Sequence, residues 1–309
     1  MRISRRQWIK DMGRAGAGWM LLPVAERVIT KGPARITLLH TNDVRSHLDP
    51  FPADGSRNAG LGGVAARSAL IRQVRNEAEH VLLFDAGDMM GGTAYFDLFR
   101  GAPEIKAMNW MGYDAVILGE SDFSGGIESL AEQLAQASFS VIAGNYDFSG
   151  TAMEQRCVPY RIFEKAGIRV GVIGTGIALK GLIPAERYGG MQCLDAIEQA
   201  NRQARLLKQK GCELIVCLSH LGDRYSDNRV SDEILAKSCY DIDIIFGGHT
   251  RKFFSSPRSY RNRNGGDTIV NQAGWGGLQL GRIDYIFEPG KKKNLFQAHT
   301  VVIGEKTRE

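Results

Sequence analysis

The sequence predicts a mixed, layered α/β domain. From Arg35 onward, short apolar runs alternate with longer stretches of helical periodicity, which is typical of βαβ units. The sequence shows no internal repeat, low-complexity tract or linker between domains. With 309 residues, of which 43% are hydrophobic and 24% charged, the chain is long and apolar enough for a sizeable core.

The elements follow from the period of the apolar residues. Strands are predicted near 35–40, 80–85, 115–118, 140–143, 168–173, 213–218, 242–246, 268–272 and 279–287. Helices are predicted near 60–78, 95–111, 126–137, 194–210 and 229–238. Gly101 and Pro103 interrupt the second helix, so we expect two short pieces there. The tail from Gly281 alternates apolar and polar residues, as an antiparallel pair of strands would.

The first thirty residues differ from the rest. Arg5 and Arg6 precede a short, weakly apolar run from Ala15 to Ala25, and this resembles a twin-arginine export signal. An amphipathic N-terminal helix is the alternative. The run is too short to span a bilayer, which takes about 20 apolar residues. We therefore expect residues 1–30 to be an export signal, residues 31–309 to be the folded domain, and the protein to be periplasmic without a membrane span.

The net charge of +5 lies mostly in that segment. Residues 1–30 contain six Lys or Arg against Asp11 and Glu26, a balance of +4 that leaves about +1 on the remaining chain. Net charge therefore gives no support for binding to nucleic acid.

The five cysteines, at 157, 193, 212, 217 and 239, show no paired metal-binding spacing. They are odd in number and mostly fall in or beside apolar stretches, so buried free thiols are expected rather than a disulfide.

Acidic and histidine residues recur where the predicted strands end: Asp43, Asp88, Glu120, His220 and His249. Each alone is an ordinary loop residue. Ligands of open α/β sheets bind outside the carboxyl ends of the strands, so these side chains are expected to converge on one rim. Oxygen and imidazole ligands together suit a divalent metal, and the pattern therefore predicts a metal or anion site.

The segments around these residues resemble the ordered blocks of the 5'-nucleotidase and UDP-sugar hydrolase family of calcineurin-like metallophosphatases. The blocks are 40–44, 84–88, 118–123, 218–222 and 245–250, with a late block at 271–277. The resemblance implies a four-layer αββα sandwich that is flanked by helices. It also implies two metal ions that activate a bridging water for attack on phosphorus.

The resemblance also implies roles for individual residues. Asp88 matches the carboxylate that bridges the metals, and Asp43 matches a first-metal ligand. His220 and His249 match second-metal ligands. Glu120 stands where an asparagine binds the second metal, and a carboxylate is still a competent ligand.

This sequence departs from the family at grouped positions. Arg45 and Arg251 stand where the resemblance places histidines that bind the first metal. An arginine is always protonated and has no lone pair to offer, so we expect the first metal to be absent and the two arginines to bind an anion. Ser121 and Ser124 replace the histidine and aspartate of the catalytic dyad.

A single divalent metal, such as Zn or Mn, is therefore expected on Asp88, Glu120, His220 and His249, and a second metal is not expected. A polar cluster without metal is the alternative. His47 is expected to be exposed or to lie behind the ligands. The basic run from Arg251 to Arg263 is expected to be a solvent-exposed loop or a surface that attracts anionic ligands.

Two kinds of function remain open. One is weak or altered hydrolysis of a phosphoric ester, nucleotide-like in class; the alternative is a non-catalytic protein that binds an anionic small molecule or a partner. A third possibility is hydrolysis of thiosulfate esters, as in the sulfur-oxidation relatives of this family. That reaction also needs two metals, and the first metal is expected to be absent here. The family's C-terminal nucleotide-binding domain has no counterpart before Glu309, so a separate chain or a different substrate is expected.

Overall fold

A computed structural model describes residues 33–288 and 296–304. The export segment expected at residues 1–30 lies outside the described residues. Within them, no helix is long and apolar enough to cross a membrane.

The first sheet has six strands: β1 (Ala34–Thr41), β2 (Val81–Asp85), β3 (Ala115–Ile117), β4 (Ser140–Ile142), β13 (Gln279–Phe287) and β14 (Phe296–Val302). Their order across the sheet is β14-β13-β1-β2-β3-β4. Strands β1 to β4 run parallel to one another, whereas β13 pairs antiparallel with both β1 and β14. The antiparallel tail expected from Gly281 is present.

The second sheet also has six strands: β6 (Tyr160–Lys165), β7 (Ile168–Thr175), β9 (Leu214–Ser219), β10 (Ile244–Gly247), β11 (Arg258–Arg261) and β12 (Asp267–Asn271). Their order is β11-β12-β10-β9-β7-β6. The four central strands are parallel, and the two edge strands are antiparallel. A small ribbon joins β5 (Tyr146–Asp147) to β8 (Gln192–Cys193).

The helices are α1 (Val64–Glu77), α2 (Ala94–Phe99), α3 (Ala102–Met111), α4 (Ile127–Leu134), α5 (Ala185–Tyr188), α6 (Ala196–Gln209) and α7 (Asp232–Ser238). A 3₁₀ helix spans Glu120–Gly125. The break between α2 and α3 lies at Gly101, as the sequence predicts.

The two sheets pack face to face. One buried cluster joins Leu38 and Phe84 of the first sheet to Val172, Val216 and Phe246 of the second. A second cluster packs α1, α3 and α4 on the outer face of the first sheet, and a third packs α6 and α7 on the outer face of the second. The predicted layered sandwich, four layers in the order αββα, is therefore confirmed.

All five cysteines are free thiols. Cys212, Cys217 and Cys239 are buried, as expected. Cys157 is half-buried and Cys193 is exposed, so the expectation of burial does not hold for these two.

Beneath the strand ends of the second sheet lies a buried carboxyl group, Asp232, at the start of α7. It accepts hydrogen bonds from the Ser219 hydroxyl at 2.5 Å and from Gln272 Nε2 at 3.2 Å. Burial raises the pKa of Asp232 to about 8. The folded protein therefore holds a proton here that the unfolded chain, with a pKa near 3.8, has already released at neutral pH.

We predict that Asp232 makes folding stability fall as pH rises from about 5 to about 8, because the folded state binds the extra proton throughout this window. The slope from this group is at most about 1.4 kcal/mol per pH unit. Asp232→Asn should flatten the curve of unfolding free energy against pH, measured by denaturant titration. Asp227→Asn, at an exposed position, is the matched control. Parallel curves for the native protein and Asp232→Asn would show that Asp232 does not hold this proton.

Candidate metal and anion centre

The five strand-end residues predicted from the sequence lie together at the rim of the sandwich, and both predicted arginines join them. The loops after β1 and β2 carry Asp43, Arg45 and Asp88, and the 3₁₀ helix after β3 carries Glu120. His220 follows β9, and His249 and Arg251 follow β10. We call these seven residues the rim cluster.

The backbone at the rim cluster is unusual. Eight non-glycine residues among those described have positive φ, and five of them belong to the cluster: Asp43, Arg45, Asp88, His249 and Arg251. Such a conformation is unfavourable for residues other than glycine and concentrates at functional sites. Arg45 and Arg251 are thus held in the same kind of strained loop as the acidic and histidine residues beside them.

The imidazole side of the cluster converges on one carboxylate oxygen. Glu120 Oε2 lies 3.0 Å from His220 Nε2 and 3.0 Å from His249 Nδ1. His220 Nε2 is also 3.4 Å from Asp88 Oδ1. The other ring nitrogen of His220 lies 2.6 Å from the Ala86 carbonyl, to which it can donate its proton. This bond would leave Nε2 of the neutral ring free as a metal ligand.

These donor atoms fit a metal ion. Two ligand atoms that share one ion at about 2.1 Å lie roughly 3–3.5 Å apart, and the distances around Glu120 Oε2 match this spacing. The ligand atoms of Glu120, His220 and His249 all lie within 4.8 Å of one another, and so do those of Asp43, Asp88 and His220. Glu120, His220 and His249 combine oxygen and imidazole ligands, a set that suits zinc or manganese.

Without a metal, a proton takes the place of the ion. Burial alone would lower the pKa of His220, but the charges of Asp88, Glu120 and Asp43 and its hydrogen bonds raise that pKa well above the ordinary value. Burial alone would raise the pKa values of Asp88 and Glu120. The charge and hydrogen bonds of His220, joined at Glu120 by those of His249, outweigh burial and lower both pKa values. A metal must therefore displace a proton from His220.

The arginine side of the cluster is built from two ion pairs. Arg45 Nη1 donates to Asp88 Oδ2 at 2.8 Å, and Arg251 Nε lies 3.4 Å from Asp43 Oδ1. Both aspartates are fully buried, whereas the side chains of Arg45 and Arg251 are 22% and 41% exposed. Asp43 Oδ1 accepts no hydrogen bond from the residues that the structure describes. Each guanidinium therefore faces a buried carboxylate on one side and solvent on the other.

The two serines at the dyad positions differ in surroundings. Ser121 is buried, donates its hydroxyl to the Met90 carbonyl at 2.7 Å, and donates its backbone N–H to Asp88 Oδ1 at 2.8 Å. Ser124 is exposed. His47 lies outside the rim cluster: its ring stacks on Phe51, with 4.8 Å between ring centroids, and Nδ1 lies 3.0 Å from the Val44 carbonyl.

Two residues that hold the rim together were not predicted. Asp122 accepts backbone N–H bonds from Asp88, Met90 and Gly119, at 2.8–3.0 Å, and so joins the loops after β2 and β3. Asn42 links Asp43 to the late block, because it donates to the Gly274 carbonyl and accepts from the Ala273 N–H. One feature of the sequence could have identified them: Asn42 lies in the block 40–44 and Asp122 in the block 118–123, both of which resemble family blocks.

Comparison with known proteins gives a consistent result. Residues 36–253 match the family described as calcineurin-like phosphoesterase. The chain is 31% identical to the snake venom 5'-nucleotidase of Gloydius brevicauda over 294 residues, which cover 88% of this chain and 48% of that protein. It is 32% identical to the 5'-nucleotidase of Vibrio cholerae over 281 residues, 83% of this chain and 50% of that one. The chain thus spans about half the length of these relatives.

Among solved structures, the 5'-nucleotidase precursor of Thermus thermophilus is similar, with a TM-score of 0.77 and 32% identity over 88% of this chain and 55% of that chain. The NAD nucleotidase of Haemophilus influenzae gives a TM-score of 0.78 at 25% identity, over 88% of this chain and 57% of the other. The similarity in both structures covers the domain described above.

We predict that the two arginines differ in their effect on stability. Arg45→Met leaves the buried Oδ2 of Asp88 without its donor and should lower the unfolding free energy of the metal-free protein by about 1–3 kcal/mol. Arg251→Met should lower it by less than about 1 kcal/mol, because Arg251 is more exposed and farther from its partner. Denaturant unfolding after chelation measures both. Equal losses, or none at Arg45, would contradict the assigned pairing.

Proposed function

Because this chain belongs to the calcineurin-like phosphoesterase family, we propose that its rim cluster binds the phosphoryl group of a phosphoric ester with one metal ion and two arginines. The ester is nucleotide-like in class, and hydrolysis is weak or altered relative to the 5'-nucleotidases. The observation that carries the proposal is the pairing of Arg45 and Arg251 with the two buried aspartates, at 2.8 and 3.4 Å.

Charge supports one metal rather than two. In the proposed site, the guanidinium of Arg45 covers Asp88 Oδ2, an oxygen that a second metal would need, and Arg251 lies beside Asp43. A second dication placed there would meet two cations that cannot release a proton. Asp88, Glu120, His220 and His249 remain as the ligand set of a single ion. When bound, that ion supplies Lewis-acid polarisation of a phosphoryl oxygen.

The chain's own residues then have limited roles. Arg45 and Arg251 can each turn guanidinium N–H groups that are not engaged by Asp88 or Asp43 toward phosphate oxygens, which guanidinium binds well. Ser121 already donates its hydroxyl to Met90, and Ser124 is exposed, so neither is placed to protonate the leaving group. A missing general acid–base group typically lowers a rate by about 10²–10⁴-fold.

A non-catalytic member of the family that binds an anion or a partner is the second candidate. The same Arg45–Asp88 ion pair favours it, because the pair stabilises the rim without any metal. Nucleotide specificity would further require a surface for the base, and a separate chain that corresponds to the rest of the relatives' length is a proposed source.

We predict that phosphate release from a 5'-nucleotide such as AMP is far below that of an intact family enzyme. Neither Arg45→His with Arg251→His nor Ser121→His with Ser124→Asp should restore it alone, because groups that act as one catalytic unit are strongly non-additive. The quadruple variant should exceed both pairs. The comparison uses equal metal loading. Robust turnover by the native protein that Arg45→Ala abolishes would instead make the arginines part of an active enzyme.

We also propose that the protein is exported to the periplasm by the twin-arginine route. Replacing Arg5 and Arg6 together with Lys should block export and leave the folded domain unchanged, because the pair lies outside the domain. Cell fractionation with Arg35→Lys as the matched control tests this. Normal periplasmic levels of the doubly substituted protein would contradict the proposal.

A further inference from the structure

A second cleft lies on the same rim, next to the rim cluster but built from other residues. It has a volume of about 740 Å³, within the size range of small-molecule sites. Its walls come from the loop 176–182 after β7, from the segment 193–196 that leads into α6, and from Leu221 and Arg229 beyond β9. We call it the Lys180 cleft.

The Lys180 cleft is lined by residues other than those of the rim cluster, and two tyrosines hydrogen-bond to the backbone of its walls. Tyr225 donates its hydroxyl to the Leu221 carbonyl at 2.7 Å, and Tyr146 donates to the Ile177 carbonyl at 2.6 Å. None of the seven rim-cluster residues lines the cleft. A ligand in the cleft would therefore not need a metal ion or Arg45 in order to bind.

The walls combine exposed apolar groups with positive charge. Leu182 and Leu194 are 43% and 42% exposed although both are large aliphatic residues. Lys180 has no ion-pair partner among the residues that the structure describes. Arg229 lies over the ring of Tyr225, at 4.8 Å, and makes only a 3.4 Å contact with the exposed Asp227.

The one acidic side chain among the described residues that line the cleft is already engaged. The Asp195 carboxylate accepts the backbone N–H of Glu198 at 2.8 Å and caps α6. The cleft therefore carries two cations, Lys180 and Arg229, against one acid that is already engaged, and exposed leucines lie on the same walls. A ligand with an apolar body and one negative group matches both features.

We propose that the Lys180 cleft is a binding site for a small organic anion, with its carboxylate, sulfonate or phosphate group at Lys180 and Arg229 and its apolar body against Leu182 and Leu194. This site is separate from the phosphoryl site and does not depend on the proposed function. The probe that tests it is naphthalene-1-sulfonate, which joins one negative charge to an apolar ring system.

Cys193 provides the readout, because it lines the cleft and is the exposed cysteine. Burial and the charge of Asp195 raise the pKa of its thiol, so its reaction with a maleimide is slow enough to follow at mildly alkaline pH. On the full-length protein, naphthalene-1-sulfonate should slow labelling of the peptide that contains Cys193. The neutral analogue 1-naphthalenemethanol should protect about two- to thirtyfold less well, because it lacks the charge for two exposed ion pairs.

Variants assign the effect to the cleft. Lys180→Glu with Arg229→Glu should weaken protection by about tenfold or more, whereas Lys106→Glu, at an exposed position on α3, should not change it. Ala178→Trp should block binding by filling the cleft without altering its charge. Cys193→Ser, which should remove the labelled peptide, verifies the assignment of the signal.

Three results would overturn the proposal. Labelling of Cys193 could be unaffected by naphthalene-1-sulfonate, or protection could persist in the doubly charge-reversed variant. Finally, Arg45→Met with Arg251→Met could abolish the protection, which would place the probe in the rim cluster. That last result would leave the phosphoryl site intact, so the two proposals fail separately.

Discussion

Asp43 and Asp88 are carboxylates with no exposure to solvent, and the arrangement of the whole rim depends on how their charge is balanced. A buried carboxylate is strongly unfavourable unless a cation or several hydrogen-bond donors compensate it. Here Arg45 and Arg251 lie beside them, with Ser121 and His249 donating backbone N–H groups to Asp88 and Asp43. The strained loops after β1, β2 and β10 hold these groups in place.

The charges of the rim cluster support the proposed combination of one metal ion and one anion. With all groups in their ordinary ionised forms, Asp43, Asp88 and Glu120 contribute −3 and the two arginines +2. A proton on His220, whose pKa is raised by these carboxylates despite its burial, brings the metal-free cluster to neutrality. Replacing that proton with a dication leaves a charge of +1, which a phosphoryl group can offset. A second dication would bring the total to +3.

Much of the fold could be predicted because the buried strands are continuous apolar runs. The strands that were missed lie at sheet edges or carry polar residues: β6 is only half-buried, and β11 reads Arg-Ser-Tyr-Arg. Helix α1 begins at Val64 rather than near residue 60, because Gly62 and Gly63 have positive φ. At Gly63, a Cβ atom would lie 2.7 Å from the Pro50 nitrogen, so this turn requires glycine.

The predicted site residues were those whose chemistry is visible in the sequence, at the ends of strands. Asp122 was missed because it acts only by accepting backbone N–H bonds, which leaves no characteristic spacing. The pairing of each arginine with one aspartate also could not be predicted. It depends on φ angles near +50° at Asp43 and Arg45 and on the loop after β10, in the second sheet, meeting the loop after β1, in the first, where the His249 N–H donates to Asp43.

We propose that two arginines occupy the position that a second metal ion would take. The most direct measurement is a crystal structure of the protein grown with Mn²⁺ or Zn²⁺, with diffraction recorded at the absorption edge of the metal. We predict one anomalous peak between Glu120, His220 and His249, with Arg45 still donating to Asp88. A second peak of comparable height beside Asp43, with the arginines turned away, would show that the site binds two metal ions.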